Sequence, residues 1–263
     1  MGVVVLIIII AAVAGGSKYK TPNATATSTT PTTAAPSGST ATSTTETSAV
    51  PLQSPFLAGN AHPQFPAGAA GEVSVVYQGP ISPQQSGTVV PIVLDNNSSK
   101  AVAHVDISST AKDASGKIVG SGDSQGTSPS VIKPGQWTLA YIYFEPATSL
   151  SSSDTLSFNV NTSPADTSSY NTAALQVTQA NLSGSSITGG VQNTTGEVVT
   201  GPISVEFYCF DAAGHPVYQQ RAFTAGSTAG SGDLAPNATD SFQTNFYDQQ
   251  CPSFLVGASG YYK

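Results

Sequence analysis

The sequence predicts an all-β protein built from two antiparallel β-sandwiches in tandem, and three observations support that prediction. Apolar and polar residues alternate along several short segments, as they do in strands with one buried face. Turns rich in Gly, Pro, Asn and Asp separate these segments, and none of the segments has the period of a helix. The same series of landmarks then occurs twice along the chain, which indicates an internal duplication.

The most regular predicted strand precedes a turn at Asp211 to Gly214. Four residues expected to face the core alternate there with four others, namely Ile203, Val205, Phe207 and Cys209 with Ser204, Glu206, Tyr208 and Phe210. In such a turn, Asp accepts backbone hydrogen bonds and Gly permits positive φ. We therefore expect a hairpin whose second strand returns along residues 216–223.

A second Asp-x-x-Gly turn, Asp113 to Gly116, follows another alternating segment earlier in the chain. Each of the two turns has an asparagine-containing polar turn before it, at 95–99 and 192–196, and a proline turn after it, at 133–135 and 235–237. The order is the same and the spacing nearly equal. The sequence therefore predicts two β-sandwich units, 71–165 and 172–263.

Strands of the first unit are predicted from the same alternation. The expected segments are 72–77, 88–94, a long strand around Ile107, a short mate at 117–119, then 136–144 and 155–160.

The residues around the second turn resemble a known family. Phe207-Tyr208-Cys209-Phe210-Asp211 is similar to the F-x-L-Y-D signature of the FxLYD domain, and Gly214 completes its D-x-x-G turn. Val191-Gln192-Asn193 upstream, and Leu234-Ala235-Pro236-Asn237 and Phe242 downstream, also match that family. The departures are Cys209 for Leu, Phe210 for Tyr and Asn237 for Gly.

The first copy keeps Asp113 and Gly116 but lacks the aromatic part of the signature. The resemblance covers residues 71–263. It implies an immunoglobulin-like or fibronectin-like sandwich of the kind found on membrane-anchored and secreted proteins. It transfers no catalytic residues.

Composition narrows the classes of partner. The chain has 8 basic and 15 acidic residues and a net charge of −7, and its Lys and Arg residues do not cluster. Nucleic acid is therefore not expected as a partner. Charged residues make up only 9% of the chain, against about 25% in ordinary soluble proteins.

The N-terminal part predicts export. Residues 3–14 are continuously apolar and end in Ala12-Val13-Ala14, a pattern that signal peptidase could cut. Residues 1–20 are interpreted as either a signal peptide or a transmembrane anchor, the latter making the membrane a partner. Residues 21–70 form a Ser/Thr/Pro-rich linker, with 17 Ser or Thr among residues 21–50, which predicts disorder. An extracytoplasmic location, membrane-anchored or secreted, follows.

Two cysteines, Cys209 and Cys251, are present. An exported chain with two cysteines usually bridges them, so a disulfide is predicted. The alternative is one buried free thiol and one exposed thiol.

Catalytic and metal motifs are weak. Residues 122–126 match G-x-S-x-G around Ser124, but no strand-to-helix turn is predicted there, and His104 shows no sign of converging on it. The three histidines are isolated and no calcium-loop motif occurs. We expect no enzyme activity, no metal and no cofactor.

Aromatic residues suggest a binding face. Alignment of the proline turns places Tyr141 and Tyr143 on the outer face of one strand, together with Leu139, and Tyr208 and Phe210 on the outer face of another. Such a stripe could bind a glycan or a cell-surface protein. The alternative is that these side chains pack on the partner unit or on a loop.

Asn-x-Ser/Thr sequons mark candidate glycosylation positions. They are Asn23, Asn96, Asn97, Asn161, Asn181, Asn193 and Asn237.

Taken together, these features predict a non-enzymatic, extracytoplasmic structural or interaction protein. Two alternatives stay open: a carbohydrate- or protein-binding module that uses exposed aromatics, and a subunit of a surface assembly whose edge strands pair between copies.

Overall fold

The computed structural model describes residues 50–51, 56–83, 86–148, 150–169, 171–246 and 251–263. The predicted signal or anchor at 1–20 and most of the predicted linker lie outside these residues. Within them the chain forms fourteen strands and one five-residue helix. The elements are β1 (Val50–Pro51), β2 (Leu57–Gly59), β3 (Val73–Gln78), β4 (Thr88–Asn96), β5 (Val102–Lys112), β6 (Ile118–Ser128), β7 (Trp137–Phe144), β8 (Thr155–Pro164), β9 (Thr172–Ser183), β10 (Ser186–Gln192), β11 (Val199–Phe210), β12 (Pro216–Phe223), α1 (Ala225–Ala229), β13 (Thr239–Asn245) and β14 (Ser253–Tyr262).

The all-β prediction is confirmed, and the strands form two antiparallel sheets. The first sheet has the order β3-β4-β7-β6-β5-β8. Its edge strands β3 and β8 contact each other, so the sheet curls nearly into a barrel. The strand that pairs with β5 in the hairpin was expected to be short, at 117–119. It is instead the eleven-residue strand β6, which is longer because it pairs with β7 as well as with β5.

The second sheet is centred on β14, which pairs with β2, β9 and β11. From those strands the pairing continues to β10 and β13 on one side and to β12 on the other. Strands β12 and β13 are in contact but are not paired. Both sheets belong to one compact unit.

The two sheets share one strand order. Numbered within its own set of six, each half pairs first with second, second with fifth, third with fourth and third with sixth. Followed from neighbour to neighbour around each curled sheet, the six strands of either half come in the order first, second, fifth, fourth, third, sixth. The opening lies between β8 and β3 in the first half and between β12 and β13 in the second.

The two Asp-x-x-Gly turns occupy corresponding hairpins, β5–β6 and β11–β12. Asp113 Oδ1 accepts the backbone N–H groups of Ser115 at 2.9 Å and Lys117 at 3.0 Å. Asp211 Oδ1 accepts those of the residues two and four positions later, both at 2.9 Å. Gly116 and the glycine of the second turn have φ of 83° and 81°. The repeated turn is therefore the same physical device used twice.

The two asparagine turns also match. Asn96 donates through Nδ2 to the carbonyls of Lys100 and Ile132. Asn193 donates in the same way to the carbonyls four and 41 positions later. Both asparagines are fully buried, and each ties the end of the second strand of its half to the proline-turn segment.

Each half has its own apolar core. The first is built on β4, β5 and β7, with Ile92, Ile107 and Ile142 among its members. The second contains Phe207 and includes the bridge Cys209–Cys251, whose Cα atoms are 5.2 Å apart. The predicted disulfide is confirmed.

A third apolar cluster lies between the two sheets. It joins the outer face of β4 and β7 to the outer face of β11 and β14, and residues 57–65 pack against it; its buried members are Leu57, Ala61, Val93, Leu139, Tyr208, Phe210 and Leu255. Tyr77 of β3 stacks on His215 of the second hairpin with ring centroids 4.7 Å apart. The two halves are therefore joined by an apolar interface.

Two predictions are corrected here. The disordered linker was expected to reach residue 70, but Leu57–Gly59 forms β2 and pairs with β14, and Leu57, Ala58 and Ala61 are buried. Leu139 and Phe210 were expected to face solvent, but both are buried because the contact between the sheets covers the outer face of their strands.

Candidate functional site

A cleft of about 350 Å³, lined by both polar and apolar groups, lies between the two sheets. Strands β5 and β6 supply one wall, and β9, β11, β12 and β14 supply the other. Volumes of this order suit a small ligand. This cleft is the candidate functional site.

Three of the surrounding strands lose regular pairing where they border the cleft. The ladder of β5 with β8 is interrupted in residues 103–106, that of β6 with β7 in residues 124–127, and that of β11 with β14 in residues 200–204. Such irregularities redirect side chains and occur often beside binding sites. His104, inside the first interruption, has a φ of 45°, which is uncommon for a residue other than glycine.

Hydroxyl groups dominate the lining. Six Ser and Thr residues carry them, namely Ser124, Thr127, Ser130, Thr172, Ser204 and Ser259, and Tyr261 adds a phenolic hydroxyl. Ser204 and Ser259 place their Oγ atoms 3.4 Å apart across β11 and β14. Ser130 Oγ and Thr172 Oγ1 are buried without a hydrogen-bond partner among the described residues. A buried hydroxyl left in this state costs about 1–3 kcal/mol.

One residue of the lining, Arg221, belongs to an ion pair with the buried Glu206. Arg221 of β12 donates from Nε to Glu206 of β11, its cross-strand neighbour, and Gln219 donates to the same carboxylate. A second guanidinium nitrogen of Arg221 donates to the carbonyl of Gln125 in the first half. Its guanidinium carbon also lies 5.5 Å from the centroid of the Tyr141 ring. This cluster links the two halves through polar contacts.

Burial governs the titration of this cluster. Desolvation raises the pKa of the Glu206 carboxyl, and Arg221 and Gln219 only partly offset that effect. Desolvation also raises the pKa of Tyr141 and of Tyr208, with the charge of Glu206 adding to it. Burial lowers the pKa of Arg221, but the charge of Glu206 and the hydrogen bond to it outweigh that effect, so the pKa is raised overall. The guanidinium therefore stays charged.

The cleft brings together three residues that the sequence did not place together. His104 and Asp106 border it from β5 and Ser124 borders it from β6, a proximity that no sequence pattern indicated. His104 Nε2 lies 3.4 Å from Asp106 Oδ2. Ser124 Oγ accepts the backbone N–H of Ile107 at 3.0 Å, in place of a regular ladder partner. This hydrogen bond gives Ser124 a structural role.

The predicted aromatic binding face is not a surface. Tyr141 is 6% exposed and Tyr208 is 0% exposed, because both lie where the sheets meet. Tyr143 is half-buried and donates its hydroxyl to the carbonyl of Ser86 at 3.0 Å. The open alternative, in which this stripe packs on the other unit, is the correct one for Tyr141 and Tyr208.

The residues that carry the family resemblance are either buried or part of the two Asp-x-x-Gly turns. Phe207 and Phe210 are buried on opposite faces of β11, and Asp211 and Gly214 form the turn that follows. Asp113 and Gly116 form the equivalent turn in the first half. Backbone hydrogen bonds hold the pKa of Asp211 below its ordinary value, and hydrogen bonds from Ser115 and the backbone do the same for Asp113.

The sequons divide by burial. Asn96 and Asn193 are buried and hydrogen-bonded, so folding removes them as acceptors for a glycan. Asn97 donates to the carbonyl of Gly68 at 2.7 Å. The side chains of Asn161, Asn181 and Asn237 are at least partly exposed. Asn23 lies outside the described residues.

Glu206, Arg221, Thr172 and Tyr261 were not singled out from the sequence. The first two had a detectable signal, since the hairpin closed by Asp211 to Gly214 places an acid and a base on paired strands. The other two belong to the cleft only because the second sheet docks on the first.

Among the described residues, no group of three or more His, Cys, Asp or Glu side chains is arranged to hold a metal ion. Over the same part of the chain, no helix has the length and apolar character needed to cross a membrane.

The chain matches no protein-family model, and no curated protein is significantly similar to it.

Proposed function

We propose that this is a non-enzymatic interaction protein that acts outside the cytoplasm. Residues 1–20 would export or anchor it, the Ser/Thr/Pro-rich segment would hold it off the membrane, and the duplicated β region would be displayed. The observation that carries the proposal is the Cys209–Cys251 bridge, because structural disulfides persist mainly in oxidising compartments. The apolar segment at 3–14 supports the same location.

Membership of the FxLYD type, with two immunoglobulin-like sandwiches, is part of this proposal. The pairing of first with second, second with fifth and third with sixth strand in each half agrees with the neighbours of an immunoglobulin-type sandwich. The repeated Asp-x-x-Gly turns supply the sequence landmarks. Pairing of the third and fourth strands joins what would be two separate sheets into one in each half.

The compartment can be tested by thiol labelling in the native host. Cells would be lysed directly into acid, and the denatured protein treated with a maleimide that adds a visible mass. We expect no mass shift unless the protein is first reduced, when two labels should add. Cys209→Ser is the matched control, since it frees Cys251 and should add one label without reduction. Two labels on the unreduced wild-type chain would contradict an oxidising location.

Sequencing of the mature N-terminus by mass spectrometry tests the export segment independently. A chain that begins shortly after Ala14 indicates a cleaved signal, and one that retains residues 3–14 in the membrane fraction indicates an anchor. An intact chain found wholly in the soluble cytoplasmic fraction would contradict the proposed export.

Assembly between copies is the second candidate function. Within the described residues, β3 pairs only with β4 and β8 pairs only with β5, so each has an unpaired edge. Strand addition at this opening would join copies. A monodisperse monomer in light scattering at high concentration would count against assembly and leave the interaction function unaffected.

A further inference from the structure

We propose that the cleft between the two sheets binds a neutral saccharide. This rests on the proposed interaction function and moves the binding site from the predicted tyrosine face, which is largely buried, to a place that needs both halves of the molecule. Four observations support it: the cavity, its hydroxyl lining, its balanced charge and the exposed rings beside it.

The cavity is built where strands leave their ladders. In the interruptions at 103–106, 124–127 and 200–204, backbone groups lack their regular cross-strand partners. Hydroxyls take the place of some ladder partners in this region: Ser227 accepts from Ile203 inside the third interruption, and Ser124 accepts from Ile107, next to the first. A region in which hydroxyl groups already substitute for ladder partners is suited to a ligand that is itself rich in hydroxyls.

Side chains of the lining offer the same chemistry. The hydroxyls of Ser130 and Thr172 are buried without partners among the described residues, so each would gain a hydrogen bond by turning toward a ligand in the cleft. Each hydroxyl can both donate and accept, as the hydroxyls of a sugar can. Asp106 adds a carboxylate with its side chain 68% exposed, which can accept from two adjacent sugar hydroxyls.

The charge of the cleft favours a neutral ligand. Its arginine, Arg221, already donates to Glu206 and to the carbonyl of Gln125. Its guanidinium charge is therefore balanced inside the protein, while Asp106 would repel an anion. An acidic sugar or a phosphate would meet no uncompensated Lys or Arg charge among the described lining residues.

Aromatic rings complete the site. Tyr261 is 43% exposed and Phe223 is 46% exposed, and both border the cleft from the second half. The cleft therefore carries ring surface that a ligand can reach, beside its polar lining. One face of a pyranose carries mainly C–H groups, which an aromatic ring can cover while the hydroxyls bond to the polar lining.

The test is ligand-observed NMR by saturation transfer on the full chain. A zwitterionic detergent should be used to keep the N-terminal segment soluble, because a sugar-headed detergent would compete. The probes are glucose, galactose, mannose, N-acetylglucosamine, maltose and cellobiose, with glucuronic acid as the anionic comparison. We expect at least one neutral probe to bind with a Kd on the order of 1 mM or tighter.

Variants locate the binding. Tyr261→Ala and Asp106→Asn should each weaken binding of the probe at least tenfold. Ile118→Ala, which removes an exposed apolar side chain outside the cleft lining, should leave binding unchanged. Thermal melts confirm that the variants fold; if Tyr261→Ala does not, Asp106→Asn decides the question.

Three outcomes would overturn the proposal: no probe binds, binding survives both cleft variants, or glucuronic acid binds more tightly than glucose. Because the measurement uses purified protein, it is independent of location. A chain that binds sugar but keeps reduced cysteines in the cell would contradict the proposed compartment and still support sugar binding in the cleft.

Discussion

At the scale of single residues, two asparagines act as internal cross-links. Asn96 and Asn193 each bond to two backbone carbonyls through Nδ2, and each accepts from a nearby Ser or Thr through Oδ1. Their burial means that water cannot replace these bonds if the amide is lost. This explains why an Asn turn occurs at the same place in both halves.

Replacing either asparagine should therefore destabilise the fold strongly. For Asn96→Ala and Asn193→Ala we expect losses of about 2–4 kcal/mol in the free energy of unfolding, because buried carbonyls lose their donors. Urea titration measures this. Asn161→Ala, at an exposed sequon, is the control and should change stability by less than about 0.5 kcal/mol. Equal effects at all three positions would contradict the structural role.

Removing the hydroxyl of Tyr208 should not lower the free energy of unfolding, in contrast to removing the asparagine amides. Its hydroxyl is buried between the sheets and has no hydrogen-bond partner among the described residues. Tyr208→Phe removes that unpaired group and should leave stability unchanged or raise it by about 1 kcal/mol. Tyr143→Phe is the matched control and should lose about 0.5–1.5 kcal/mol, because its hydroxyl does donate, to the carbonyl of Ser86. A clear loss of stability in Tyr208→Phe would reveal a partner for that hydroxyl.

Glu206 should impose a pH dependence on stability. Burial raises its pKa above the ordinary value of 4.5, so the folded chain keeps a proton that the unfolded chain has already released. Stability from this group is fully present below about pH 4.5 and falls as pH rises through the raised native pKa.

Urea titrations of wild type and Glu206→Gln at intervals from about pH 4.5 to pH 7.5 isolate this contribution, since the other titrating groups are common to both proteins. We expect the wild type to lose stability relative to the variant as pH rises. Parallel pH profiles for the two proteins would show that Glu206 has an ordinary pKa in the fold.

At the scale of elements, the β11–β12 hairpin combines the most functions. One face of β11 enters the second core through Phe207 and Cys209, and the other face enters the contact between the sheets through Glu206 and Tyr208. Alternation along the strand therefore separates two buried environments. The disulfide then fastens this strand to the start of β14.

Loss of the disulfide should lower the stability of the fold without removing it. Closing a loop of about 43 residues contributes on the order of 4 kcal/mol in the chain-entropy model. Reduction should therefore lower the urea midpoint substantially. Cys209→Ala combined with Cys251→Ala should match the reduced wild type and show no response to reductant. A midpoint in wild type that does not depend on reductant would contradict this account.

At the scale of the whole molecule, the apolar contact between the sheets should make the two halves unfold together. Leu139, Tyr208 and Leu255 lose all their exposure in that contact, and burying side chains of this size is worth about 1.5–3 kcal/mol each. The cleft depends on the same contact, because its walls come from different sheets.

Calorimetry tests this coupling. We expect wild type to show one cooperative transition, and Leu139→Ala to lose about 2–5 kcal/mol and weaken the coupling between halves. Ile142→Ala, on the same strand but inside the first core, should cost a similar amount while keeping a single transition. Two resolved transitions in wild type would show that the halves unfold independently.

Much of this architecture was accessible without coordinates. Alternation predicted the strand leading into Asp211, the turn predicted its hairpin, and the repeated Asn, Asp-x-x-Gly and proline landmarks predicted the duplication. These signals are local, since each depends on neighbours a few residues apart, and local chemistry is what an amino-acid pattern records. The pairing of Cys209 with Cys251 followed from their number and an expected compartment.

Only the tertiary structure decided which outer faces are exposed. Tyr141 and Tyr208 have the spacing of surface residues on their strands, yet they are buried because the other half of the same chain packs on them. The cleft has the same origin: His104 and Ser124 of the first sheet face Arg221 and Tyr261 of the second only when the two sheets dock. A strand pattern specifies two faces and cannot say what covers the second one, because that depends on contacts made between distant parts of the chain.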